Sequence, residues 1–202
     1  MESGAVESEV TRQFNRIALQ PHPHGDYAFR HPKPGEENVK PLSETDIRSS
    51  IVNASNGDVE RMPLPGLHEV VWEEREYLGW RDHRAPLRGY LVHWSDDRPI
   101  GIVLRASGAS MRPGISAMCS LCHTPQPSDQ VALFAAARAG QAGRDGNTVG
   151  MYICADLACS LIIRIVPPKM PMQPEPSEIV ARRADGLLGR LHSFTADVMK
   201  PA

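Results

Sequence analysis

Cys119-Ser-Leu-Cys122-His-Thr and, with 31 residues between the second cysteine and the third, Cys154-Ala-Asp-Leu-Ala-Cys159-Ser decide how this 202-residue chain is read. Two residues between the first cysteines let a tight turn aim both sulfurs at one point. A second close pair can then complete a tetrahedron of four thiolates about 2.3 Å from a zinc ion. The chain has no other cysteines. Its N-terminus carries Glu2, Glu7 and Glu9 in place of the basic flank and apolar core of a signal peptide, and no apolar run approaches the roughly 20 residues that span a bilayer. A soluble, cytoplasmic protein is expected. In that reducing compartment paired cysteines favour a metal over a disulfide. Two alternatives stay open: a redox Cys-x-x-Cys, which should open a helix after a strand, and buried unligated thiols. His123, beside Cys122, is a reserve ligand.

Between the pairs, Val131 to Ala137 and Thr148 to Ile153 have strand composition, joined by the glycine-rich stretch Gly140 to Asn147. Asp156-Leu157-Ala158 and Leu161-Ile162-Ile163 continue helically, placing Cys154 just ahead of a helix and Cys159 in its first turn. Backbone donors there favour negatively charged sulfurs. Knuckle, hairpin and helix follow in the order of a treble-clef finger, expected over residues 115–168.

Upstream, Ser43 and Asp46 ahead of Ile47, Ile51 and Val52 form a capping signature, with a turn at Asn56-Gly57-Asp58. Strand patterns follow at Val70-Val71-Trp72, at Tyr77 to Trp80, and at Tyr90 to Trp94, which Ser95-Asp96-Asp97 turns into Ile100 to Leu104. The last two form an expected antiparallel hairpin. Trp72, Tyr77, Trp80, Tyr90 and Trp94 are read as packing residues. Residues 1–40 hold a short amphipathic stretch (Val6, Val10, Phe14, Ile17) and a proline-rich linker. His22 and His24 sit in that linker without the fixed geometry of a site.

Downstream, Pro167, Pro168, Pro171, Pro174 and Pro176 are read as a stiff linker. Ile179, Leu187, Leu188, Leu191, Phe194 and Val198 then mark an amphipathic helix, with Arg182, Arg183 and Arg190 interleaved. The expected architecture is α+β: a tail over 1–40, then one domain over 41–199 with an antiparallel sheet, a four-cysteine treble clef and a C-terminal amphipathic helix.

Charge is uneven. Residues 41–99 carry −4 and residues 100–170 carry +3 within a total of −2. The positive excess near the cysteines suits an acidic protein or an RNA backbone as partner, though a difference this small is more often an ordinary solvated surface and by itself decides nothing. Arg112, Arg138, Arg144, Arg164 and Lys169 are the candidate partner-binding residues. Catalysis is not expected: four thiolates leave zinc no open position for water or substrate. His68, His83 and His93 come with no nucleophile elbow or dinucleotide fingerprint, and the Gly140-x-x-Gly143-x-x-Gly146 spacing joins two strands, where a phosphate loop would open a helix.

The cysteine block, together with Ala139-Gly140-Gln-Ala-Gly143-Arg-Asp-Gly146-Asn-Thr-Val-Gly150-Met-Tyr-Ile-Cys154, resembles the treble-clef zinc-finger domain of the elongation factor G-binding proteins, the FusB-type fusidic-acid-resistance family. Ile51-Val-Asn53-Ala-Ser55-Asn-Gly57 with Leu64-Pro65, Tyr77-Leu-Gly79-Trp80-Arg-Asp82 and Arg190-Leu191-His-Ser-Phe194 extend the likeness to about residues 41–199. The resemblance implies one structural zinc on Cys119, Cys122, Cys154 and Cys159. It also implies a translation-associated adaptor that binds elongation factor G and promotes its release from the ribosome. The rival reading is a zinc-stabilised RNA-binding module that docks on the ribosome or its rRNA as a stress or hibernation factor.

Overall fold

A computed structural model describes residues 40–109, 112, 114–166 and 171–201. The N-terminal amphipathic stretch, the proline run after it and the His22–His24 pair therefore lie outside the described residues, as does Lys169.

Helix α1 (Glu44–Ser50) begins at the anticipated signature. The Ser43 hydroxyl accepts from the Asp46 amide and the Asp46 carboxylate accepts from the Ser43 amide, a complete capping box. The turn expected at Asn56-Gly57-Asp58 is instead the start of a second short helix, α2 (Asn56–Glu60), because Ser55 caps it through the Asp58 amide. Val70-Val71-Trp72 is not a strand. Two 3₁₀ turns, Leu67–Glu69 and Trp72–Glu74, occupy that stretch. Their amides bond within the turn, Val70 to the Leu67 carbonyl and Arg75 to the Trp72 carbonyl, so these β-forming residues join no ladder.

The central sheet is antiparallel in the order β1 (Leu78–Arg81), β2 (Arg88–Ser95), β3 (Arg98–Ala106), β6 (Val131–Ala137), β7 (Thr148–Cys154). The β2–β3 hairpin forms as anticipated, its tight turn using Asp96 at a φ of 53°. β3 and β6 pair only at Arg105–Ala135 and Ala106–Phe134. Beyond that point they diverge, and the Asn53 side chain bridges them: its amide nitrogen donates to the Val103 and Ala137 carbonyls while its oxygen accepts from the Val103 amide. A second, two-stranded ribbon, β4 (Ser116–Met118) with β5 (Pro125–Pro127), holds the first cysteine pair in its connecting turn. The glycine-rich stretch is not a plain loop. It folds into α3 (Gly140–Arg144), anchored by Ala142, which is 2% exposed.

Successive strand residues face opposite sides, and each side has its own cover. On one, Leu78, Trp80, Tyr90 and Val92 pack with Ile47, Met62, Leu42 and Trp72. Here α1 approaches β3 closely enough for Ile51 to bridge Gly101, where a Cβ would lie 2.5 Å from the Ser50 hydroxyl oxygen. The other side is covered by the cysteine finger and by α5 (Pro176–Met199), whose buried Leu187, Leu191, Phe194 and Val198 are the stripe read from the sequence. Each such side chain contributes roughly 1.5–3 kcal/mol of burial. Pro176 belongs to this helix and not to the linker, since a proline in the first turn loses no intrahelical bond.

Candidate metal centre

The ribbon β4–β5 turns sharply through Cys119 to Thr124. The His123 amide bonds the Cys119 carbonyl at 2.9 Å, His123 takes a φ of 53°, and the Cys122 amide lies 3.5 Å from the Cys119 sulfur. Both sulfurs thereby face inward. Cys154 ends β7, and Cys159 opens α4 (Cys159–Ile162). The helical continuation expected over Asp156-Leu157-Ala158 does not form. Leu157 is left-handed, at a φ of 62°, and is held there by the Tyr77 hydroxyl, which donates to its carbonyl at 2.8 Å. The same phenol oxygen accepts from the Cys159 amide at 3.3 Å. On β1 the neighbour is Gly79, whose Cβ would lie 2.5 Å from the Leu157 carbonyl, so only glycine lets this turn close.

The four sulfurs are buried and lie within 4.8 Å of one another, with 3.6 Å between Cys119 and Cys159 and 3.7 Å between Cys122 and Cys154. A tetrahedron with metal–sulfur bonds of about 2.3 Å has edges of about 3.8 Å, so the set fits zinc. No pair approaches the roughly 2.05 Å of a disulfide, and all four are free thiols. Sulfurs this close cannot all ionise on their own. Contact with Cys119, then with Cys154 and Cys159, holds the Cys122 thiol far below its usual range, while contact with Cys119, then with Cys122 and Cys159, pushes Cys154 far above it. A divalent cation resolves the conflict by compensating thiolates on all four. Its chemistry is that of a cross-link joining the β4–β5 turn to the junction of β7 and α4. His123 stays outside this closed set.

Supports for the site come from elements outside the cysteine block. Tyr77 is one. The Arg190 Nε donates to the Leu121 carbonyl inside the knuckle at 2.6 Å, and Arg183 donates to the Ile163 and Ile165 carbonyls at the end of α4. Arg138 reaches the Asp197 carbonyl near the end of α5. Of the candidate partner-binding cations, Arg138 and Arg164 are thus engaged within the fold, Arg164 in a bidentate pair with the buried Glu76 at 3.0 Å. Arg112 and Arg144 are exposed. His93, one of the scattered histidines, is 1% exposed between Trp94 and Thr195. His68 and His83 are exposed elsewhere. Among the described residues no helix is long and apolar enough to cross a membrane.

A family profile described as "FBP C-terminal treble-clef zinc-finger" matches residues 46–198. Among solved structures, the fusidic acid resistance protein FusC aligns at 19% sequence identity with a TM-score of 0.43, over 73% of this chain and 59% of FusC. This chain therefore spans less than two thirds of FusC. No curated protein matches the chain. The profile covers the sheet, the finger and the last helix together, and the chain belongs to the FusB-type family defined by this C-terminal treble-clef zinc finger.

Proposed function

We infer that this chain is a non-catalytic, translation-associated adaptor of the cytoplasm that binds elongation factor G through its zinc-stabilised domain and promotes release of the factor from the ribosome. Membership in the FusB-type family is the observation that carries this reading, together with the convergence of the four cysteines on one buried, closed site. The metal's role is to fix the finger and hold it against α5, so partner binding depends on zinc through folding. A binder changes release only by interacting differently with the ribosome-bound and free forms of the factor. Affinity and release are therefore separate measurements.

Calorimetric titration of the zinc-loaded chain against purified elongation factor G tests the reading, with Cys154→Ser/Cys159→Ser as control. Saturable binding lost with the zinc supports it; no binding by a folded, zinc-replete chain overturns it. The rival, a ribosomal RNA module, drew on the basic segment. Two of that segment's cations, Arg138 and Arg164, spend their donors on groups inside the fold, which weakens a phosphate-binding role.

A further inference from the structure

A groove along the sheet lies away from the finger. It occupies about 470 Å³, within the range of peptide-side-chain and ligand pockets. Its origin is the divergence of β3 from β6: Asn53 plugs one end of the gap, and the small Ala135 and Ala137 leave the rest open. The floor is aliphatic, with Val103, Ala135 and Ala137 on the sheet and Leu87 at the rim.

Two arginines stand over this floor. Arg88 and Arg105 are direct register partners on β2 and β3. The Ala106 amide bonds the Leu87 carbonyl one step along, so the arginine pair occupies a non-hydrogen-bonded position, where cross-strand side chains come closest. Like charges directly opposed there destabilise a sheet. Arg88 has partial compensation from Asp58 at 3.8 Å, but Asp58 is shared with Arg61 at 3.6 Å and with the Ser55 hydroxyl. Asp82, the other nearby carboxylate, is taken by the Tyr90 hydroxyl and by the Arg84 and Ala85 amides. Arg105 has no acidic partner among the described residues. Two positive charges thus stand side by side, Arg88 from the acidic segment 41–99 and Arg105 from the basic segment 100–170.

We propose that this groove is a docking site for an acidic peptide segment of a partner protein, a carboxylate bridging Arg88 and Arg105 with an aliphatic neighbour seated on Leu87 and Val103. Charge complementarity selects the carboxylate, and the guanidinium fork binds it bidentately. The aliphatic floor selects a peptide over RNA, because no aromatic ring lines the groove to stack a base. The site lies on the face of the sheet opposite the finger, and it stands whether or not the partner is elongation factor G.

The test is a ¹H–¹⁵N titration of the full, zinc-loaded chain with a peptide of alternating Glu and Leu. A Lys–Leu analogue and a short single-stranded RNA form the parallel arms. The expected result is saturable shifts at Leu87, Arg88 and Arg105 with the acidic peptide alone, weakened at least tenfold in Arg105→Glu and less in Arg105→Gln, with zinc content unchanged. Shifts located elsewhere, no saturation at millimolar peptide, or unaltered binding by Arg105→Glu would overturn the proposal. Equal or stronger shifts with RNA would overturn it in favour of a phosphate-backbone site. Elongation factor G plays no part in the measurement, so its failure to bind leaves this result standing on its own.

Discussion

The two faces of the sheet are held down by different physics. On the α1 side, Ile47, Met62, Trp80 and Tyr90 form an aliphatic–aromatic layer whose stability is spread over many contacts. On the finger side, buried residues such as Leu121, Phe134 and Phe194 are present as well, but the chain between Cys119 and Cys159 makes tight turns with left-handed residues at His123 and Leu157. Non-glycine residues in that region cost of order 1 kcal/mol or more each. The finger face therefore depends on one cross-link and a few donors, Tyr77 and Arg190 foremost, where the other face depends on area. Distributed packing fails gradually, and a pinned turn fails all at once.

Metal removal should separate the two faces most widely. Chelation, or Cys154→Ser/Cys159→Ser, withdraws a binding free energy of about 10 kcal/mol or more. Hydrogen exchange is expected to rise to the unprotected rate across β4, β5 and α4 while β1–β3 retain protection; uniform loss on both faces would break the comparison. A smaller effect, confined to the opposite face, should follow from Ile47→Ala. This residue is fully buried, so the cavity should cost about 4 kcal/mol in chemical denaturation. Zinc content should stay at one per chain.

Acid probes the seam between sheet and α5. Burial foremost, opposed by the Trp94 carbonyl and assisted by the nearby His192, lowers the His93 pKa from 6.5 to about 4. The ring faces Thr195 and His192 on α5, and its register partner on β3 is the uncharged Ile100. A group whose folded pKa is depressed binds more protons when unfolded. Its contribution is complete above pH 6.5 and disappears as pH falls toward about 4, a loss of about 3 kcal/mol. Stability curves of the parent and His93→Gln, compared at matched zinc occupancy, should converge over that interval. Smallest is Tyr77→Phe, which removes the hydroxyl between Leu157 and Cys159. It should weaken zinc about tenfold, or about 1.4 kcal/mol, in competition with a chromogenic chelator. An unchanged affinity would mean the metal alone holds the turn.

The same contrast separates what the residues revealed in advance from what they hid. Cys119, Cys122, Cys154 and Cys159 were legible because ligand spacing is a local constraint. The Ser43–Asp46 box and the β2–β3 hairpin were legible because capping and alternation are local too. Val70-Val71-Trp72 misled because its residues favour strands while the amides of Val70 and Arg75 are taken up inside two 3₁₀ turns. In Gly140–Arg144, glycines that cost a helix about 1 kcal/mol each hid the helix, yet the fold requires one of them: a Cβ at Gly143 would lie 1.8 Å from the Arg138 carbonyl oxygen. Tyr77 looked like an ordinary strand aromatic, and Arg183 and Arg190 like the wet side of a helix. Their acceptors lie far off in sequence, 69 residues away for Arg190, and no pattern announces them.

Arg190 also ties the site to the order of synthesis. The last cysteine precedes the end of α5 by about 40 residues, roughly two to eight seconds of elongation at cellular rates. During that interval the four sulfurs have been made but the helix that braces the knuckle has not. A zinc ion that arrives in that interval holds the knuckle without the Arg190 brace, and the helix closes over a finger already cross-linked.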